Sequence, residues 1–306
     1  MAFLVWALTF MLVNVTSSAT TITLLREPSA SLVRRYLERQ DSKNKLPNHP
    51  FAGFSDPTAN DGGAATPQAP PGFQERTVRV YLGRGKATYQ RGQDALLRWR
   101  MHEGSSWARI VLGQTPERHK VRPRNMATVA KASAGLAWCI NPCQIVYERR
   151  DTALRFVTPP GVKGNLSRAP EEETRRNRNR EDTAKHALKG KNGGEAGHLW
   201  AGKSPSAAPE WASFLPGLTH KGRQSAVAYA TKEGHLIEGE ERMRVLHFCG
   251  RGGDDSVWFE VYSVSRGSGL AGSVLFPFIQ SMQRRFFQEQ ALTMRRIVVL
   301  PKAAVA

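Results

Sequence analysis

From Pro159 to Gly222 the chain turns polar, charged and rich in glycine and proline, and this interruption governs what the rest can form. Glu171-Glu172-Glu173 runs into Arg175-Arg176-Asn177-Arg178-Asn179-Arg180, and the only apolar anchors are Leu199-Trp200 and Trp211 to Leu218. Such a stretch buries too little apolar surface to offset the conformational entropy lost on ordering it. Residues 159–222 are therefore expected to be a basic, disordered insertion. The periodic segments on either side, 76–158 and 223–298, are expected to make one domain.

Before the interruption, Val78-Arg79-Val80-Tyr81-Leu82 alternates as a strand does. Gly83-Arg84-Gly85 turns it into a helix from about Ala87 to Met101, whose buried face is Tyr89, Gly92, Leu96 and Trp99. Strand-like runs follow at Trp107 to Leu112, Met126 to Lys131, Gln144 to Glu148 and Leu154 to Thr158. After it come Ala226 to Thr231, a turn at Lys232-Glu233-Gly234, and two strands, about Glu238 to Phe248 and Ser256 to Ser265, joined through Gly250 to Asp255. A long helix from about Leu270 to Arg295 closes the chain, with Leu275, Ile279, Met282, Phe286 and Thr293 on one face and Pro277 bending or starting it. Upstream, residues 22–54 form an N-terminal helical part. It contains an amphipathic helix over 28–40, with Pro28 at its first position and Leu32, Val33, Tyr36 and Leu37 at helical spacing. Residues 55–75, rich in proline and glycine, read as a linker. Strand, helix, several antiparallel strands and a closing helix make an α+β grip.

The first 21 residues hold an apolar run, Ala2 to Leu8 and Phe10 to Val13. It is too short to span a bilayer comfortably but suits a signal or targeting segment, with Ser17-Ser18-Ala19 as a cleavage site. No Lys or Arg precedes Arg26, so an apolar first strand competes with a secretory or organelle destination. Lys+Arg is 44 against Asp+Glu 26, a net charge of +18, which favours anionic partners. The Arg175 to Arg180 run lacks interleaved aromatics, so partners held there would be bound non-specifically, with no specific nucleic acid expected. A solvated basic loop competes with that reading. Cys139, Cys143 and Cys249 are too few for a disulfide scaffold, and a lone C-x3-C implies no metal. No cofactor is expected.

Five ordered blocks resemble the DUF1990 (UPF0548) family, a domain of unknown function. They are Val80-Tyr81-Leu82-Gly83-Arg84-Gly85 with Tyr89, Ala95 to His102 and Trp107; Pro142 to Tyr147; Ala228-Tyr229-Ala230-Thr231 with Gly234-His235 and Glu238 to Arg242; Val257 to Val261 with Ser265-Arg266; and Pro277, Gln283 and Phe286. Arg26-Glu27-Pro28-Ser29 resembles the family's N-terminal region. The resemblance covers about residues 24–157 and 224–296. Gly267 stands where the family usually has proline, and the insertion is not a family feature. The resemblance implies a START-like (SRPBCC) helix-grip fold, in which a curved sheet wraps a long C-terminal helix over an apolar cavity. It implies no activity.

Gly83 and Gly85 do not make a dinucleotide fingerprint, because Thr88 takes the third glycine's place and no βαβ repeat follows. The densest polar cluster is His235, Glu240, Glu241 and Arg242. On a strand over 238–246, Glu241 shares a face with Met243 and Val245, and Glu240 shares the other with Arg242 and Arg244. Which face is inward is not encoded. A carboxylate facing the cavity would have a raised pKa and could act as an acid or base, which makes His235 and Glu241 the catalytic candidates. Pairing of both glutamates with Arg242, Arg244 or Arg266, or with backbone in the turn, is the competing structural role. Ligand-lining candidates are Tyr89, Trp99, Tyr229, Glu240, Glu241, Trp258, Arg266, Met282 and Phe286, and core packing competes for the aromatics. No Ser-His-Asp or Cys-His constellation is readable from spacing. Three functions follow: a binding module for an apolar or amphipathic small molecule, an enzyme using Glu241 or His235, and an interaction protein recruiting anionic partners through the insertion.

Overall fold

The computed structural model describes residues 22–24, 26–43, 45–58, 69–113, 125–132, 137–157, 219–249 and 255–299. The chain divides into a compact unit of residues 1–156 and 220–306 and a second unit, 157–219. Residues 158–218, and with them most of the expected insertion and the Arg175 to Arg180 run, lie outside the described residues, as do residues 1–21.

The first unit contains β1 (Ile22–Leu24), α1 (Ala30–Ser42), β2 (Gln74–Arg84), α2 (Lys86–Leu97), β3 (Ala108–Leu112), β4 (Asn125–Ala132), β5 (Ala137–Val157), β6 (Thr219–Thr231), β7 (Ile237–Cys249), β8 (Asp255–Gly267) and α3 (Gly269–Val299). Its strands form one sheet in the order β2-β8-β7-β6-β5-β4-β3, with β1 paired to β5. The pairings whose register is resolved are antiparallel. The α+β helix grip is thus present: an antiparallel sheet with a long C-terminal helix packed on it.

Local sequence explains the junctions. Gly83 and Gly85 have φ of +129° and +87°, angles that side-chain-bearing residues avoid, and they let β2 run straight into α2. Gly92 brings α2 close to the sheet, since a Cβ there would lie 3.0 Å from Val245 Cγ1. Ser29, rather than Pro28, opens α1: its hydroxyl accepts the Leu32 N–H at 3.2 Å as an N-cap, satisfying a donor the first turn leaves free. Pro277 lies inside α3 instead of starting it. The run 144–148 and residues 154–157 belong to one strand, β5, which passes through Asp151 at φ +50°.

The sheet is buried on both faces. On the inner face, Val227, Met243, Val245, Val257, Phe259 and Val261 pack against Tyr89, Ala95 and Leu96 of α2 and Phe286, Phe287, Ala291, Met294 and Val298 of α3. Each Val, Leu, Phe or Met side chain among them contributes about 1.5–3 kcal/mol when fully buried. On the outer face, Val33, Tyr36 and Leu37 of α1 cover Val111, Ala127, Val129, Trp138 and Ile140. Residues 45–58 continue that cover: Asn48 N–H donates to Thr231 O, and Asn48 Nδ2 donates to Ile237 O.

Candidate functional site

The period-2 alternation of β7 sends Glu241 to the inner face with Met243 and Val245, and Glu240 to the outer face with Arg242 and Arg244. The structure therefore separates the two neighbouring glutamates by the thickness of the sheet.

Glu241 is 6% exposed. It lies opposite Tyr229 on β6 and Ser263 on β8. Gln290 of α3 donates to its Oε1 at 3.1 Å, and the Tyr229 hydroxyl is its other partner. Burial raises its pKa from 4.5 to about 7, against the opposing pull of these two hydrogen bonds. Both partners are neutral, so the carboxyl gains no cation to hold it ionised. The neighbouring Cys143 thiol is pushed far up, first by its own burial and then by Glu241.

A second polar group stands in the same interior. After α2 the chain reverses at Trp99, which takes a left-handed conformation (φ 59°) and leads into a 3₁₀ turn over Arg100–His102. A bulky residue holds that conformation only where its surroundings impose it. Here the Trp99 ring lies 6.2 Å from Tyr229 and stacks on His102 at 6.0 Å, and Phe286 also stacks on His102, at 5.3 Å. The imidazole is 6% exposed, and neither ring nitrogen has a hydrogen-bond partner among the described residues. Burial lowers its pKa to about 3, so at neutral pH it offers one donor and one acceptor. Gln290 Oε1 is likewise buried and unpartnered. Trp107 closes the aromatic wall, edge-on to Phe286 at 5.8 Å, with its Nε1 donating to Glu289 at 2.9 Å.

The interior thus gathers Trp99, Tyr229, Glu241 and Phe286 from the sequence-derived candidates. Tyr89 is buried on the same face, but its hydroxyl meets Ser225 at 3.0 Å and its ring stacks on His247. Met282 is half-buried one turn before Phe286. The others lie elsewhere. Trp258 is on the outer face, edge-on to Tyr81 at 5.2 Å. Arg266 is exposed, paired with Glu238 at 2.7 Å and placed over Phe73. His235 caps the β6–β7 turn, with its Nδ1 accepting the Ile237 N–H at 3.1 Å. Four strand positions, about 13 Å, separate that turn from Glu241.

The outer face holds its own charge layer. Glu240 accepts the Gly53 and Ser55 N–H groups and the Ser55 hydroxyl. Burial raises its pKa, with those bonds opposing. Arg242 and Arg244 pair instead with Glu260, at 3.1 and 2.6 Å, and Arg79 joins them at 2.5 Å. Burial alone would raise the Glu260 pKa, but Arg244, Arg79 and Arg242 hold it well below the usual carboxylate range. The same burial, with Arg242 adjacent, lowers Arg244 to about 10. This layer bonds the sheet to the segment above it through Arg242 Nη1 and Ser55 O, 2.8 Å apart.

His102 and Gln290 were not singled out by the sequence, although signals existed. His102 ends the block Ala95 to His102, and Gln290 lies one helical turn beyond Phe286. Among the described residues, no three His, Cys, Asp or Glu side chains are placed to hold a metal ion.

Comparison with curated proteins gives no match. The family DUF1990, described as a domain of unknown function, matches residues 58–173 and 215–292. The match starts after α1 and the residues 45–57, and its two parts flank residues 174–214, within the expected insertion. Since it spans more than half of the chain and contains the inner-face residues Trp99, His102, Tyr229, Glu241, Phe286 and Gln290, the protein belongs to the DUF1990 family.

Proposed function

We propose that the interior between the sheet and α3 binds an apolar or amphipathic small molecule carrying at least one hydrogen-bonding group. The observation that carries this reading is the set of buried, unpartnered polar atoms, His102 Nδ1 and Nε2 and Gln290 Oε1, within a wall of aromatic rings. Buried polar groups are nearly always hydrogen-bonded, and each left alone costs about 1–3 kcal/mol. A ligand hydroxyl or amide would relieve that cost, while its apolar part would pack against Trp99, Tyr229 and Phe286. Such interiors, apolar with few convergent polar groups, are the usual form of small-molecule sites.

Catalysis by Glu241 has one specific support, a pKa near neutrality. Acid–base roles are most efficient there, and the group reached would be the same ligand's. Recruitment of anionic partners through Arg175 to Arg180 rests on the sequence alone.

The test is rebinding. Full-length protein stripped of small molecules over a hydrophobic resin is titrated with fractions of a lipid and metabolite extract while tryptophan fluorescence is followed. A saturable change that disappears in His102→Leu is expected. No saturable change, or one of equal affinity in His102→Leu, would overturn the reading.

A further inference from the structure

At the far end of β7, its pairing with β8 assembles a group that the interior site does not use. His247 and Cys249 are two residues apart on β7 and so share a face, and Asp255, the first residue of β8, pairs with Cys249 in register. His247 Nε2 meets Asp255 Oδ1, and its Nδ1 lies 4.0 Å from Cys249 Sγ. The imidazole is clamped on its flat side as well: the Tyr89 ring of α2 stacks on it at 5.3 Å and 23°. Asp255 is fixed by the Gly85 N–H, which donates to its carbonyl at 3.3 Å. Among the three cysteines, Cys143 is buried, Cys139 is half-buried and Cys249 is exposed.

These positions match the roles of nucleophile, base and orienting carboxylate that recur on unrelated folds. The bond to Asp255 places the imidazole proton on Nε2, which leaves the Nδ1 lone pair facing the thiol. Burial and then Asp255 raise the Cys249 pKa, with Arg223 pulling the other way. At neutral pH the sulfur is therefore a thiol, and its attack needs a base that removes the proton as the new bond forms.

We propose that Cys249 is a nucleophile with His247 as its general base and Asp255 as its positioning residue, and that it is a modification site for small-molecule disulfides. In the step, His247 Nδ1 takes the thiol proton and Sγ attacks one sulfur of the disulfide. The S–S bond breaks, and the departing thiolate recovers the proton from the imidazolium. Cys249 is oxidised to a mixed disulfide as the small disulfide is reduced to one free thiol, so no further oxidant is required. The chemistry needs only an accessible sulfur and its base, and it is independent of any ligand in the interior. The groups that face it are Asp255, Tyr89 and Arg223, the last tied to Asp151, with Lys221 opposite Cys249 in register.

Oxidised glutathione is the probe, with full-length protein and mapping of modified peptides by mass spectrometry between pH 5.5 and 9. Cys249 is expected to react ahead of Cys139, with Cys143 untouched as a reporter of an intact fold. His247→Gln should slow Cys249 by about 100-fold near pH 7, the lower end of what general-base assistance supplies. It should also convert the rate profile to that of an unassisted thiol, rising only with thiolate fraction. Asp255→Asn, at a half-exposed side chain, should slow Cys249 in the same sense. If His247→Gln exposes Cys143, the Asp255→Asn rate and the wild-type profile decide. Equal Cys249 rates in wild type and Asp255→Asn, with a wild-type profile that follows simple thiol ionisation, would overturn the proposal.

Discussion

Replacing Glu241 with glutamine should make the protein more stable at pH 8 and leave it nearly unchanged at pH 4.5. The folded pKa of about 7 lies above the ordinary 4.5, so between those values the folded protein holds a proton that the unfolded chain has released. Stability from the neutral buried carboxyl is therefore complete below pH 4.5, declines as the pH rises, and is lost once the pH passes about 7. At roughly 1.4 kcal/mol per pH unit, that interval is worth about 3 kcal/mol. Glutamine keeps the shape and can still meet Gln290 and Tyr229, but it has no charge to bury. The variant should therefore lack this loss, and at pH 8 should melt some 6–12 °C above wild type, taking about 2–4 °C per kcal/mol for a domain of this size. Denaturant unfolding of both proteins at pH 4.5, 6 and 8 measures the difference directly, because every other titrating group cancels. A stability difference independent of pH would refute a buried, proton-holding Glu241. A variant less stable at every pH would point to a cation beside the carboxylate.

Other perturbations follow from the same geometry. His102→Leu removes two buried unpartnered nitrogens while keeping an apolar side chain between Trp99 and Phe286, so the melting temperature should hold or rise even as ligand binding is lost; a drop of more than about 1 kcal/mol in denaturant unfolding would contradict this. Glu260→Gln leaves Arg79, Arg242 and Arg244 without their shared carboxylate and should cost about 3–5 kcal/mol, read by thermal melts at pH 7. Because the folded pKa of Glu260 is depressed, its contribution is present above the unfolded pKa and fades as the pH falls through the folded value; the gap between wild type and variant should accordingly shrink under strongly acidic conditions. Replacing residues 174–214, which the family match leaves out, with a short Gly/Ser link should lower the melting temperature by less than about 10 °C, since loop-closure entropy changes slowly with length.

Much of the fold was legible because the strands carry their own period. The alternation along β7 by itself puts Glu241 with Met243 and Val245, and the stripe through Met282 and Phe286 marks the face α3 turns inward. What the period could not say was which face of β7 meets that helix, since both faces are buried: α1 and residues 45–58 cover the outer side, where Glu240, Arg242 and Arg244 find their partners in the fold. The break seen between Glu148 and Leu154 was misleading for a related reason. Arg149, Arg150 and Asp151 read as a polar gap, yet β5 continues through them, with Arg149 bonded to Asp56 and Asp151 to Arg223. The Glu260 cluster and the Cys249, His247 and Asp255 group depend on strand register, which fixes partners far apart in sequence. His102 escaped notice because its importance lies in what it lacks, a hydrogen-bond partner, and only packing reveals that.

Native mass spectrometry of the full-length protein after incubation with a lipid and metabolite extract tests the binding interior most directly. A site built around His102, Gln290 and the aromatic wall predicts a noncovalent adduct of a few hundred daltons on wild type, at least ten-fold weaker on His102→Leu. Bare protein mass under gentle conditions, or equal adducts on both proteins, would contradict it.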